Sequence, residues 1–338
     1  MNLDGFILPP EWDRHEATWL SWPVNQETWP KHILRDMLPQ YLAFVSELSQ
    51  VEKVRINLDH SRKDSVFNLL DKTPNVRIGN VEFFDHPTND SWIRDYGPDF
   101  LVNERDKLVL NWGYNSWGEK YPPFNLDNDI PNKVAEALDI SQVDVSMILE
   151  GGSFDVNGEG VLITTASCLL NSNRNPQLSK SQIEFLLKKY LRQKEIIWLF
   201  EGIRGDDTDG HIDDITRFVN SDTLLTATCT QADQNYEVLT KNKKYLVDNF
   251  SNRFKIIDLP MPKPLVVDNI EVPASYANFY IANDKVIVPI FNDSNDKEAM
   301  TIIESCFPDR NVVGLDSSKI IYGLGSFHCL SKQEPKVL

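Results

Sequence analysis

Residues 216–228 read TRFVNSDTLLTAT: a strand-forming run, an Asn in a polar turn, then a second apolar run. The layout recurs in residues 99–112 (DFLVNERDKLVLNW), 153–165 (SFDVNGEGVLITT) and 278–290 (NFYIANDKVIVPI). The turn asparagines are Asn103, Asn157, Asn220 and Asn283; the first two lie 54 residues apart and each later pair 63. Val, Ile, Leu, Phe and Thr on the flanks, with Asn, Gly, Asp or Ser between them, predict a β-hairpin in each segment.

Helices are predicted between the hairpins. Residues 178–194 place Ile183, Leu186, Leu187, Tyr190 and Leu191 on one side at a 3.6-residue period, with Ser179 or Ser181 available as the cap. Residues 236–250, 297–306 and 33–48 carry similar stripes. A hairpin with one helix cannot bury its own apolar face, whereas several units around a centre can. The expected fold is therefore α/β and repetitive. The run at 320–330 and the ATWLSW run at 17–22 are expected to supply a fifth, ring-closing unit. With no low-complexity linker, residues 1–338 read as a single domain, and residues 260–264 as a surface loop.

Polar residues precede the hairpins at similar offsets. Asp95 stands eight residues before Asn103, Glu150 seven before Asn157, and His211 and Asp213 nine and seven before Asn220. Ser275 and Tyr276, followed by Asn278, hold the fourth place. Taken alone, each reads equally well as a turn or cap residue. The shared offset favours convergence on one central pocket, because turn chemistry needs no common register with a hairpin 60 residues away. Near the chain end, residues 322–330 (YGLGSFHCL) present Cys329 among glycines that permit close backbone approach. The competing reading is a buried thiol in a last strand, which suits Cys168, Cys229 and Cys306 better. Neighbours in a strand face opposite sides, so His211 is the expected base and His328 a structural residue.

The formal charge of −16 excludes nucleic acid and anionic membrane surfaces as partners and is compatible with a cationic substrate. Residues 1–20 have neither the basic nor the apolar region of a signal peptide, and no apolar run is long enough for a membrane helix. Cytoplasm follows by elimination. The four cysteines lack CxxC spacing and read as neither a zinc site nor a disulfide framework.

Residues 10–29 (PEWDRHEATWLSWPVNQETW), 92–98 (WIRDYGP), 150–175 (EGGSFDVNGEGVLITTASCLLNSNRN), 206–213 (DDTDGHID) and 323–329 (GLGSFHC) together resemble the agmatine deiminase family of guanidine-modifying enzymes. The resemblance runs from about residue 5 to 335. It implies a five-bladed α/β propeller, the pentein fold, with pseudo-fivefold repeats around a central active site. It also implies Cys329 as nucleophile, His211 as general acid/base, Asp95 and Asp213 as guanidinium-binding acids, and Glu150 as the acid orienting the histidine. Trp92 and Asp207 match positions near the substrate chain and its distal amine, and a homodimer is the family-level expectation. Leu324, Ser326, Phe327 and Lys332 depart from the usual last motif, and Ala166 stands where relatives often carry an acid.

Two carboxylates can each take a bidentate pair of guanidinium N–H bonds and aim the carbon at a thiolate. Attack expels ammonia and leaves a thiouronium intermediate that water hydrolyses, with no metal or organic cofactor required. Agmatine is preferred over free or peptidyl arginine, because Arg204, the basic residue beside the histidine motif, is outnumbered by Asp206, Asp207 and Asp209. A rival of another class is a divalent-metal site in the acidic run 206–214.

Overall fold

The computed structural model describes residues 3–338. All four predicted hairpins form, and each leads through a helix to a third strand parallel to the second. Asp99–Val102 pairs antiparallel with Lys107–Gly113, which runs parallel to Ser141–Ile148 after the helix Ile130–Leu138. Phe154–Val156, Val161–Thr165 and Glu195–Leu199 repeat the pattern around the helix Lys180–Tyr190. So do Thr216–Asn220, Thr223–Thr228 and Lys255–Pro260 around Tyr236–Phe250, and Tyr280–Ile281, Lys285–Ile290 and Asn311–Asp316 around Asp296–Cys306. Helical crossovers are what parallel pairing demands, since a tight turn cannot reverse the chain twice.

The helix Lys180–Tyr190 shows why these sequences settle so. Ser179 and Gln182 form a reciprocal capping box, with the Gln182 amide on Ser179 Oγ and the Ser179 amide on Gln182 Oε1 at 2.8 Å. Ile183 and Leu187 are buried against the strands, each worth about 1.5–3 kcal/mol of apolar transfer.

The fifth sheet is built from both chain ends. His15–Ser21 pairs antiparallel with Ser331–Pro335 and parallel with Lys53–Leu58, which pairs in turn with Val81–Asp85. The expected closing partner, the run at 320–330, is not a strand. It is a 3₁₀ turn at Ile320–Gly323, then Leu324 at φ 69° and a turn over 327–330. An added Cβ at Gly325 would lie 2.7 Å from the Trp92 ring and 3.0 Å from Cys329 Cβ, so the backbone passes too close for an extended strand with side chains. Pairing begins only at Ser331.

The molecule is mixed α/β, with the five sheets and a separate short hairpin of Leu265–Val267 and Ile270–Val272; no described sheet closes on itself. Each hairpin-type strand begins just after a polar residue. Asp95 precedes the strand opening at Asp99, Glu150 that at Phe154, Asp213 that at Thr216, Asn278 that at Tyr280, and Cys329 that at Ser331. A polar or thiol side chain therefore stands just before the same strand in each of the five sheets.

Candidate active site

Asp95 sits in the short helix Ile93–Tyr96 and is 4% exposed. Its Oδ1 accepts from the Gly152 amide and its Oδ2 from Trp117 Nε1, each at 2.9 Å. Burial pushes its carboxyl up to about 6, against those two hydrogen bonds. His211 Nδ1 lies 3.6 Å from Asp95 Oδ1. At Gly152 an added Cβ would meet His211 Nδ1 at 2.6 Å, Asp95 Oδ1 at 2.8 Å and Asp213 Oδ2 at 3.0 Å. Three site residues from two other parts of the chain thus crowd one glycine.

The His211 backbone is fixed by the acidic run itself, its amide donating to Asp206 Oδ2 at 2.9 Å. Its ring is 1% exposed, and neither ring nitrogen has a hydrogen-bond partner. Burial lowers its pKa, against the field of Glu150 and Asp206, so the ring is neutral at physiological pH. Asp213, in the 3₁₀ turn Ile212–Asp214, is fully buried with Oδ1 unpartnered, and burial and then Asp95 push its carboxyl well up. Cys329 Sγ lies 3.6 Å from Asp213 Oδ2 and accepts from Asn278 Nδ2 at 2.9 Å. Burial, Asp213, Asp214 and Asp95 raise the thiol well above its ordinary value, as expected of a sulfur among carboxylates.

The remaining expected residues fall close by. Glu150, Cys168 and His211 offer ligand-type atoms within 4.8 Å of one another. Glu150 makes its short contact elsewhere: Oε1 accepts from Arg174 Nε at 2.5 Å. The cation already on that carboxylate is a guanidinium, which argues against a metal there. Trp92 is buried, packs at a 41° tilt against Trp29 with centroids 5.0 Å apart, and walls the Gly323–Gly325 turn that delivers Cys329. Asp207 accepts from Tyr121 Oη, and burial raises its carboxyl.

Three expectations need correction. His328 does not face away from Cys329, because residues 327–330 form a turn to which strand alternation does not apply; its Nδ1 lies 2.7 Å from Asp213 Oδ2. (Arg94, beside Asp95 in sequence, pairs with Glu11 at 3.2 Å.) Arg204 points away from the pocket to Glu271, and the basic residues beside the histidine motif are Lys120 and Arg174, both paired with Asp209. The acidic run does not assemble an oxygen cage, since Asp206 serves backbone amides, Asp209 serves Arg174 and Lys120, and Asp214 serves Asn278.

Sequence reasoning missed Glu11, Trp117 and Lys120, which carry no repeat signal. Asn278 was visible at the fourth unit's equivalent position, though nothing in its spacing said that it would touch the sulfur.

The model of the Porphyromonas-type peptidyl-arginine deiminase family matches residues 7–335. The agmatine deiminase of Pseudomonas syringae pv. syringae is 34% identical, covering 99% of this chain and 96% of its own. A solved structure of a C. jejuni agmatine deiminase variant with substrate bound superposes with a TM-score of 0.90 at 35% identity, covering 98% of this chain and 97% of that one. The inosamine-phosphate amidinotransferase of Streptomyces griseus, at 11% identity and a TM-score of 0.54 over 98% of both chains, shares the fold alone. The chain belongs to the Porphyromonas-type peptidyl-arginine deiminase family, whose relatives at this level of identity include agmatine deiminases.

Proposed function

We propose that this chain, a hydrolase of C–N bonds in linear amidines, converts agmatine and water to N-carbamoylputrescine and ammonia. One observation carries the reading. In a buried pocket, Asp213 Oδ1 and both nitrogens of His211 have no partner, and a buried thiol lies 3.6 Å from the same carboxylate. Unspent buried polar atoms are costly, and a planar cation that donates from every edge satisfies the Asp213 oxygen and the unprotonated nitrogen of His211.

In this reading Asp95 and Asp213 grip the guanidinium. Its positive charge, set among the carboxylates, favours the Cys329 thiolate. The thiol proton passes to His211 as sulfur bonds the guanidinium carbon. His211 returns that proton to the departing nitrogen, which leaves as ammonia, and the thiouronium stays on sulfur. Water then gives its oxygen to the carbon and one proton to His211; the C–S bond breaks as the added hydroxyl passes its proton to the departing sulfur, the urea product leaves, and His211 returns its proton to solvent. Glu150 supports the His211 ring, with Arg174 fixing Glu150. Trp92 flanks the alkyl chain and Asp207 receives the distal amine; Lys120 nearby is already neutralised by Asp209 at 3.0 Å.

The five sheets, each presenting one active side chain at the same strand end, support the finer reading of the fold: five α/β units around a pseudo-fivefold axis, in one domain spanning residues 1–338. Ammonia release from agmatine, free arginine and a peptidyl arginine, with Cys329→Ser alongside, tests the function. Turnover of agmatine that disappears in the variant is expected. Preference for arginine, or turnover that persists without the thiol, refutes it.

A further inference from the structure

Glu11, in the turn before the first strand, is 4% exposed and touches no atom of the expected substrate pocket except through His328. Its Oε1 accepts from Arg217 Nη2 at 3.1 Å and from the Ile281 amide at 2.8 Å. Its Oε2 accepts from Arg94 Nη2 at 3.2 Å and faces His328 Nε2 at 2.8 Å. The other ring nitrogen, Nδ1, faces Asp213 Oδ2 at 2.7 Å. One buried imidazole therefore bridges two buried carboxylates.

Two such contacts need two protons among three groups, and a neutral imidazole supplies one. Either the ring is an imidazolium or one carboxyl carries the second proton. Burial works against an ionised Glu11, but His328, Arg217 and Arg94 outweigh it and hold the carboxyl well below its usual range. Asp213 accepts from no guanidinium among the described residues, and burial and Asp95 push it well up. Burial, Arg217 and Arg94 hold the ring well below its ordinary value. Glu11 already accepts from two guanidinium groups and a backbone amide, whereas among the described residues Asp213 accepts from no cation and its Oδ1 from nothing, so in the free protein the spare proton belongs to Asp213, whose hydroxyl donates to Nδ1 while Nε2–H donates to Glu11. Of the other charges near the ring, Asp99 is paired with Lys332 at 2.5 Å and Asp155 with Arg217 at 3.1 Å. The Cys329 thiol faces the same oxygen, Asp213 Oδ2, at 3.6 Å, and Asp95 and Asp214 act on Asp213 through their charge.

We propose that Glu11 and His328 are positioning residues forming a proton relay, in which an arriving guanidinium drives the Asp213 proton onto His328 Nδ1. The Asp213 O–H bond breaks and an N–H bond forms. Asp213 becomes the carboxylate that the ligand needs, and the imidazolium is clamped between Asp213 and Glu11. No proton leaves the site. The driving force is the ligand's own charge, which favours the ionised form of a neighbouring acid. The relay rests on the hydrolytic reading above, because it requires a guanidinium against Asp213.

Titration calorimetry of agmatine into Cys329→Ser protein, in two buffers of different protonation enthalpy, counts the protons exchanged. At about pH 8 Asp95, pushed up to about 6, is already ionised and stays out of the count. Roughly no proton is released by Cys329→Ser, but about one per ligand is released when His328→Gln or Glu11→Gln is added, because the spare proton then has no held site. The two second-site variants are independent, and near-UV circular dichroism identifies which of them keeps native packing. Release of about one proton from Cys329→Ser itself, or of none from the folded double variant, overturns the relay while leaving the hydrolytic reading intact. Failure of agmatine to bind the Cys329→Ser protein at all overturns both.

Discussion

Asp95, proposed above to bind the guanidinium, is a burden to the empty protein. Its carboxyl is buried and raised from 3.8 to about 6. A carboxyl whose folded pKa exceeds its unfolded value contributes stability fully present below the unfolded pKa and lost as pH rises through the folded one. Asp95→Asn should therefore gain on the parent by on the order of 2 kcal/mol between about pH 4 and about pH 8, above a constant cost from its amide facing the Trp117 or Gly152 N–H. Urea unfolding of both proteins at several pH values measures this, and a gain that does not depend on pH would contradict the shift. Gly152 makes the complementary point about space. An added methyl would lie 2.6 Å from His211 Nδ1 and 2.8 Å from Asp95 Oδ1, so Gly152→Ala should displace two reacting groups together. Misplacement on this scale costs roughly 100-fold in rate, and kcat/KM should fall by about that much with near-UV circular dichroism retained. Activity within a few-fold of the parent would mean that these groups are not the reacting ones.

At the scale of elements, the helix Lys180–Tyr190 and the loop around Trp117 behave differently. Ser179→Ala removes one half of a capping box far from the pocket, and should cost about 1 kcal/mol in urea unfolding while leaving ammonia release unchanged. The loop carries Ser116, Trp117 and Glu119 at φ 53°, 55° and 63°, a left-handed run of non-glycine residues that the surroundings must hold. What it delivers is the Trp117 N–H, donated to Asp95 Oδ2. That bond holds the Asp95 carboxyl down, so Trp117→Phe should move the acid limb of the pH–activity profile upward and raise KM more than it lowers kcat; an unmoved acid limb would count against the contact. The contrast explains what the sequence discloses. Hairpins and amphipathic helices are periodic and local, so residues 99–112 or 236–250 announce themselves, as do Asp95, Glu150, His211 and Asp213 by their offset. Trp117, Glu11 and Lys120 act across the fold as single residues with no period to betray them. The run at 320–330 misled for a related reason: it is apolar enough for a strand, but the ring of Trp92, brought from over 200 residues away, leaves room only for a glycine turn.

The whole molecule is held shut by its ends. Trp19 and Glu334 lie 315 residues apart in the chain, yet Trp19 Nε1 donates to Glu334 Oε2 at 2.8 Å. The same carboxylate accepts from Arg55 of the neighbouring strand and from Lys107 Nζ of the next sheet, the latter at 2.6 Å. Beside it Lys332 pairs with Asp99, and Gln333 accepts from Arg94 at 2.6 Å. The last strand therefore joins the sheet built from the chain ends to the sheet that presents Asp95, and it directly follows the turn holding Cys329. If residues 1–338 form one domain, loosening this seam cannot release a terminus alone; it must loosen the pocket with it. Glu334→Ala leaves the part-buried Lys107 without its anion and Arg55 with Glu82 alone, a change that costs roughly 2–3 kcal/mol. Its urea midpoint should fall, and far-UV circular dichroism, tryptophan fluorescence and exposure of the Cys329 thiol should still trace one coincident transition. Exposure of the thiol at lower urea than the loss of secondary structure would show that the terminal seam unfolds as a separate unit, and that the site is not closed by the ends of the chain.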